Sequence, residues 1–141
     1  MNSINTALGI LHVATGAFFT TTGLRKCFIG SVRKNVFNLF ESHRVPMPAR
    51  YAVVAGEFLG GLGLLFGALT QLAAAGLLVI MFGAYLMDTW PTIKAKNPAP
   101  VVPSKLLSNA LCTPEAQLIV ILFAIMFAGA GNFSLDHLIG G

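Results

Sequence analysis

Charged side chains are scarce in this sequence. Only 10% of its 141 residues are Asp, Glu, Lys or Arg, and five of these are acidic, whereas soluble domains carry about 25% charged residues. Hydrophobic residues make up 55% of the chain, and its mean hydropathy is +0.77. This composition excludes an ordinary soluble domain and predicts a protein embedded in a lipid bilayer.

Cysteine is also scarce, and the motifs of several functional classes are missing. Cys27 and Cys112 are the only cysteines and form no Cys-x-x-Cys pair, which argues against a dithiol oxidoreductase. The sequence has no nucleotide-binding motif and no convincing set of metal ligands, so we expect no metal site. It also lacks a base-stacking module and a soluble basic surface, which excludes nucleic acid as a partner.

Four long apolar runs account for most of the chain. A helix needs roughly 20 residues to cross a hydrocarbon core about 30 Å thick, and each run is near that length. We therefore expect an all-α membrane protein, a four-transmembrane-helix bundle that forms a single domain over residues 1–141. The expected spans are residues 4–24, 51–69, 72–87 and 116–131.

The basic residues all lie in two of the connections between these spans. Cytoplasmic loops of membrane proteins are enriched in Lys and Arg, so this distribution places both connections in the cytoplasm and both termini outside. Six basic residues follow the first span and three follow the third: Arg25, Lys26, Arg33, Lys34, Arg44 and Arg50, then Lys94, Lys96 and Lys105.

The first connection has the pattern of an amphipathic helix. Its apolar residues recur at helical spacing from Phe28 to Phe40, with Arg33 and Lys34 among them. We expect an interfacial helix whose apolar face lies in the acyl boundary and whose basic residues meet lipid headgroups. Pro46 and Pro48 should end it. A helix that docks a partner protein is the alternative.

The second connection is rich in proline, which makes a long regular helix there unlikely and predicts a loop from Asp88 to Thr113. A short helix is expected near residues 105–111. Thr113 followed by Pro114 suits the N-cap and first position of the fourth span.

Glycines predict close helix packing. Gly16 and Gly23 recur in the first span, Gly76 and Gly83 in the third, and the second span is denser still. Small residues allow the backbones of membrane helices to approach closely. A cavity lined by these glycines is the alternative. The glycines assigned to packing are Gly16, Gly23, Gly56, Gly60, Gly61, Gly63 and Gly67.

Glu57 is the only acidic residue deep inside a span, and it is the first candidate site residue. A carboxylate at the centre of a membrane helix costs roughly 2.5–3.5 kcal/mol and tends to face a partner, a proton path or a ligand. His12 in the first span is estimated to lie at a similar depth, so a Glu57–His12 pair could relay a proton. Alternatively, Glu57 is protonated or bonded to the threonines of residues 20–22, and His12 only packs.

Four further charged residues fall at the cytoplasmic ends of the spans. Arg25 and Lys26 end the first span, and Asp88 and Glu115 lie at the same level on the third and fourth. We expect salt bridges among them that anchor the helix ends. Lys26 could approach Glu57 only by bending back along the bundle.

These features resemble the DoxX family of bacterial four-helix membrane proteins. The resemblance covers about residues 8–88: Gly23-Leu-Arg-Lys26 at the end of the first span, Pro46-x-Pro48 before the second, and Ala55-Gly-Glu-Phe-Leu-Gly-Gly-Leu-Gly-Leu-Leu-Phe-Gly67 within it. Members often carry a histidine near the end of the third span, where this chain has Met87-Asp88-Thr89-Trp90. The resemblance implies the bacterial inner membrane and, as in some relatives, an association with quinone-linked redox complexes.

Three functions are compatible with this sequence. A non-catalytic membrane subunit that docks a redox partner, with quinone as its candidate ligand, is favoured because the chain contains no electron donor of its own. The alternatives are a small quinone-dependent oxidoreductase with a Glu57–His12 relay and a transporter of protons or small solutes. The expected partners are the bilayer and other membrane or peripheral redox subunits, with a homo-oligomer as an alternative.

The charge distribution predicts an orientation that fusions can test. Because both termini should lie outside, alkaline phosphatase fused to the C-terminus should be active, and a green fluorescent protein fusion at the same position should be dark. The control fuses both reporters after Ser42, in the first basic connection, where the outcomes should be reversed. A fluorescent C-terminal fusion with an inactive phosphatase would contradict the orientation.

Overall fold

The computed structural model describes residues 3–97 and 103–129, and every regular element in these ranges is helical. The bundle has seven α-helices and one π-helical turn, the π-turn, at Tyr85–Thr89. The α-helices are α1 (Ser3–Phe28), α2 (Gly30–Ser42), α3 (Met47–Phe66), α4 (Thr70–Ala84), α5 (Trp90–Lys96), α6 (Pro103–Leu111) and α7 (Pro114–Ala128).

Three stretches of helix are long and apolar enough to cross a membrane: Asn5–Phe28, Met47–Phe66 and Thr70–Lys96. The helices α6 and α7 make a fourth only if they are taken together, and they meet at a bend of 64°. The chain is therefore a helical membrane protein with three or four candidate spans. The predicted fourth span, residues 116–131, corresponds to α7, although residues 130 and 131 lie outside the described residues.

The closest contact in the bundle is between the backbones of α1 and α3. A Cβ atom added to Gly16 would lie 2.5 Å from the backbone nitrogen of Leu65, and one added to Gly61 would lie 2.5 Å from that of Thr20. A Cβ atom added to Gly23 would lie 2.7 Å from the Cα atom of Phe58. These contacts have no room for any side chain, so three glycines fix how far α1 is shifted along α3.

The other glycines assigned to packing have different surroundings. A Cβ atom on Gly60 would lie 2.8 Å from Leu77 of α4, and those on Gly56 and Gly63 would also meet α4 or the turn before it at 3.1–3.2 Å. Gly67 is different because it ends α3 in the left-handed conformation, with φ 63°, which glycine adopts without strain.

The predicted glycine stripe on the third span is not a packing surface. A Cβ atom on Gly76 or Gly83 would have no described atom within 4 Å. The seven-residue spacing indicated a close neighbour there, but α7 packs on a different face of α4, through Ala74, Leu77 and Met81 against Leu122 and Ile125. Spacing alone does not show which face of a helix is covered.

The third span does not end at Met87 as predicted, because the π-turn and α5 extend the helix to Lys96. Pro91 lies in the first turn of α5, directly after the π-turn. Proline lacks an N–H and its ring clashes with the carbonyl four residues earlier in a regular α-helix. The wider π-turn relieves this clash, so Pro91 did not enforce the loop predicted from Asp88. Residues 98–102 of the predicted loop lie outside the described residues.

The predicted amphipathic helix is present as α2, but its apolar face does not lie free for lipid. Phe40 is buried, and the ring of Phe37 packs edge-on against Tyr51 of α3 with the ring centroids 5.0 Å apart. Arg50 in the first turns of α3 donates hydrogen bonds to the carbonyl oxygens of Val45 and Phe37. The helix α2 is therefore held on the bundle, with its basic face outward.

The start of α7 agrees with the prediction from sequence. The hydroxyl oxygen of Thr113 accepts a hydrogen bond from the backbone N–H of Ala116 at 3.3 Å, and Pro114 is the first residue of the helix. The short helix expected near residues 105–111 is α6.

The glycine contacts predict a graded loss of stability. Gly61→Ala should lower the free energy of unfolding most, by about 1–3 kcal/mol, because overpacking against backbone forces the helices apart. Gly60→Ala should cost less, since the added methyl group meets the Leu77 side chain rather than backbone. Gly76→Ala is the matched control and should be neutral or slightly stabilising. Equal thermal unfolding of all three in detergent would contradict the packing.

Candidate functional site

Glu57 is buried in the bundle, and both of its carboxylate oxygens accept a hydrogen bond from α1. The ammonium group of Lys26 lies 2.5 Å from Oε2, and the hydroxyl of Thr22 lies 2.9 Å from Oε1. The Glu57 side chain is 4% exposed and that of Lys26 is 25% exposed. The ion pair thus links the buried carboxylate of Glu57 to the partly exposed ammonium group of Lys26.

The structure does not bring His12 to Glu57. Thr22, which bonds the carboxylate, follows His12 by ten residues, which is about 15 Å along α1. The predicted Glu57–His12 pair is therefore wrong, although His12 is buried at its own position.

The error came from the assumed alignment of helix ends. The first two predicted spans, residues 4–24 and 51–69, were assumed to reach the outer side of the membrane at the same level. That alignment would place Gly16 opposite Glu57. In the structure Gly16 lies against Gly61 and Leu65, a shift of one to two turns. The same shift brings Lys26 beside Glu57 without any bending back, because Gly23, one turn before Lys26, already packs on Phe58. The alternative that Glu57 bonds to the threonine run is confirmed for Thr22.

Thr22 can serve Glu57 in both protonation states. Its hydroxyl lies 2.9 Å from Oε1 of Glu57 and 3.1 Å from the carbonyl oxygen of Phe19. A hydroxyl donates one hydrogen bond and accepts others. It can donate to an ionised Glu57, or donate to Phe19 and accept a hydrogen bond from a protonated Glu57. Loss or gain of a proton at Glu57 therefore leaves no polar group at this position without a partner.

A cavity of about 340 Å³ opens beside the ion pair. We define the basic end of the bundle as the end at which α1 finishes and α3 begins, and the cavity lies toward this end. Its polar lining comes from Thr22, Lys26, Glu57, Asp88 and Glu115. The remaining lining residues are apolar: Phe18, Val36, Leu39, Phe40, Val53, Val54, Ile80, Met81, Ala84, Pro114 and Leu118.

The four charges around this cavity come from four different elements. Lys26 lies on α1, Glu57 on α3, Asp88 on the π-turn and Glu115 in the first turn of α7. Asp88 is exposed and Glu115 is half-buried. One lysine and three carboxylates therefore share one space, and the lysine is already paired with the most buried carboxylate.

The predicted salt bridges at the helix ends are not present. In residues 3–97 and 103–129 the ion pairs are Lys26 with Glu57 and Arg50 with Glu41. Arg25 is exposed and makes no ion pair within these ranges. Lys26 turns into the bundle because a buried carboxylate attracts it more strongly than exposed carboxylates at the surface do.

The site has the chemistry of a small-ligand pocket rather than of a metal centre. The described residues contain no group of three or more His, Cys, Asp or Glu side chains that could hold a metal ion. Ligand pockets are typically about 300–1,000 Å³, mostly apolar, and carry a few polar groups that orient the ligand. The cavity fits this description, with an ammonium donor and a carboxylate as its polar groups.

Sequence reasoning missed the wall that α2 supplies. Val36, Leu39 and Phe40 line the cavity, although their spacing was interpreted as a lipid-facing surface. Apolar residues three and four apart mark a buried helical face, but the pattern does not distinguish burial in lipid from burial against protein. The contact that holds this face on the bundle is a hydrogen bond from the buried Arg50 to the carbonyl oxygen of Phe37, and the burial of Arg50 could not be recognised in the sequence.

Comparison with known proteins supports the resemblance seen in the sequence. Neither curated proteins nor solved structures give a match to this chain. The family model described as DoxX matches residues 7–90, a segment that runs from α1 through the π-turn and includes Lys26, Glu57 and Asp88. Because this match covers more than half of the chain, the protein belongs to the DoxX family.

Proposed function

We propose that this protein is a membrane subunit of a redox complex and that the cavity beside Lys26 and Glu57 receives a quinone for that complex. One observation carries the proposal: an apolar cavity of about 340 Å³ is interrupted by a buried ammonium–carboxylate pair. The apolar walls suit the ring and tail of a quinone. The expected setting is the bacterial inner membrane, with the basic end in the cytoplasm.

Each polar residue of the site has a separate task in this proposal. The ammonium group of Lys26 donates a hydrogen bond to a carbonyl oxygen of the ligand. Glu57 holds and releases a proton, and Thr22 exchanges donor and acceptor roles as the charge of Glu57 changes. A bound quinone supplies two-electron redox chemistry coupled to two protons.

The docking role follows from what the chain provides for this chemistry. Lys26, Glu57 and Thr22 can bind and protonate a ligand, but none of them is an electron donor. The electrons must therefore come from a partner protein. We propose that α2 contributes to the docking surface, because its outer face carries the exposed Arg33 and Lys34 next to the wall of the cavity.

Charge removal at the ion pair should separate stability from function. Lys26→Met and Glu57→Gln should each lower the thermal midpoint. Leaving one charge of a buried pair alone costs about 3–5 kcal/mol, and less here because Lys26 is 25% exposed. The double variant Lys26→Met/Glu57→Gln leaves no charge behind and should regain most of this loss. Lys34→Met, which removes an exposed charge outside the cavity, is the control.

Quinone binding in the same variants tests the function. The single tryptophan, Trp90, follows the π-turn that carries Asp88, so its fluorescence can report the binding of a short-chain benzoquinone to protein in lipid nanodiscs. Affinity should fall about tenfold or more in Lys26→Met, as for loss of a hydrogen bond from a charged group, and less in Glu57→Gln, which keeps the ammonium donor. The double variant should bind as weakly as Lys26→Met although its stability returns. Wild-type affinity in the double variant would refute the proposed site.

The partner can be identified separately. We expect the protein to co-purify from native membranes with a redox protein, and the Glu57→Gln variant to retain this partner while quinone-linked turnover falls. Full turnover in Glu57→Gln would exclude proton exchange at Glu57. Purification as a homo-oligomer with no redox partner would contradict the subunit role.

A further inference from the structure

We propose that Asp88 and Glu115 form the proton entrance of the cavity and deliver protons from water at the basic end to Glu57. This inference rests on the proposed function, since it concerns the protons that reduction of a quinone consumes. It assigns a task to two carboxylates that take no part in the ion pair or in the packing of the helices.

The position of Glu57 creates the need for such an entrance. Its side chain is only 4% exposed, and both carboxylate oxygens are occupied by Lys26 and Thr22. A proton from bulk water therefore needs another route to Glu57, because the ammonium group of Lys26, although partly exposed, cannot accept a proton. The cavity is the space that connects Glu57 with more exposed groups, and Asp88 and Glu115 line it too.

The three carboxylates that line the cavity differ in exposure. Asp88 is exposed, Glu115 is half-buried, and Glu57 is buried. They lie on the π-turn, α7 and α3, so the cavity wall brings together carboxylates from three separate elements. An exposed carboxylate can take a proton from water and a half-buried one can pass it inward, either directly or through water in the cavity.

The charge balance favours protons over anions in this cavity. Among the described residues, Lys26 is the single basic residue of its lining and is paired with Glu57. Neither Asp88 nor Glu115 has a salt bridge within residues 3–97 and 103–129. Clefts lined by charge of one sign concentrate counter-ions, so two unneutralised carboxylates at the entrance attract protons and repel anionic solutes.

A structural role accounts for only one of the two residues. Glu115 lies in the first turn of α7, where the helix dipole stabilises a negative charge. Asp88 lies within the continuous helical stretch Thr70–Lys96 and gains no such stabilisation. We therefore assign Asp88 a role in the cavity that it lines.

The proton balance of the step can be written out. Reduction of one quinone to a quinol takes two electrons, which the redox partner supplies, and two protons. For each proton, the O–H bond of protonated Glu57 breaks as the proton moves to a ligand oxygen, which leaves a carboxylate paired with Lys26. A proton from Glu115 or Asp88 then protonates Glu57 again. Water at the basic end protonates Glu115 or Asp88 in turn.

Neutral variants of the entrance test this inference in native membranes. Asp88→Asn/Glu115→Gln should lower quinone-linked turnover about tenfold at about pH 8, where protons are scarce, and less at about pH 6. Glu41→Gln removes an exposed carboxylate outside the cavity and should change neither value. Benzoquinone affinity, measured by Trp90 fluorescence, should stay within about twofold of wild type because the ion pair is intact.

Addition of a small weak acid such as acetic acid, which can carry protons into the cavity, should restore turnover in the double variant. A structural defect would not be rescued in this way. A double variant with the turnover and pH profile of the wild type would contradict the proton entrance. A double variant whose quinone affinity falls as much as its turnover would contradict it too. If the double variant behaves like the wild type while Glu57→Gln abolishes turnover, the proposed function stands and only the entrance fails. If the wild type binds no quinone, both fail.

Discussion

The close approach of α1 and α3 determines the rest of this structure. Gly16, Gly23 and Gly61 leave no room for a side chain between the two backbones, so the helices can meet in only one register. That register places Lys26 and Thr22 opposite Glu57. A shift by one turn would separate the charges and leave a carboxylate unpaired in the membrane, which is costly. Helix packing and charge pairing therefore select the same arrangement.

The ion pair in turn makes an otherwise apolar cavity chemically useful. A buried salt bridge is a weak source of stability, because desolvation of both ions offsets their attraction. In this structure it keeps a carboxylate and an ammonium group in place within a mostly apolar wall. Thr22 adds a hydroxyl group that contacts both Oε1 of Glu57 and the carbonyl oxygen of Phe19.

The sequence alone was sufficient for the helical class, the membrane environment and the family, because composition and long apolar runs determine these. It also indicated that Glu57 could bond to the threonines of residues 20–22 and that Thr113 would be an N-cap. It was not sufficient for the partner of Glu57, since a difference of one to two turns in register cannot be read from span boundaries. The burial of α2 and the helix that continues past Pro91 depended on tertiary contacts and on the π-turn, neither of which a local pattern specifies.

The two sides of the cavity are built independently of each other. Lys26, Glu57 and Asp88 belong to the segment that matches the family, whereas Glu115 and Leu118 come from α7, beyond the matched residues. The helix α7 packs mainly on α4 and only slightly on α1. Substitutions along the inner face of α7 can therefore change the charge and width of the cavity while the register of α1 and α3 stays fixed. The shape of the cavity can therefore vary on the α7 side without any change on the side that α1 and α3 form.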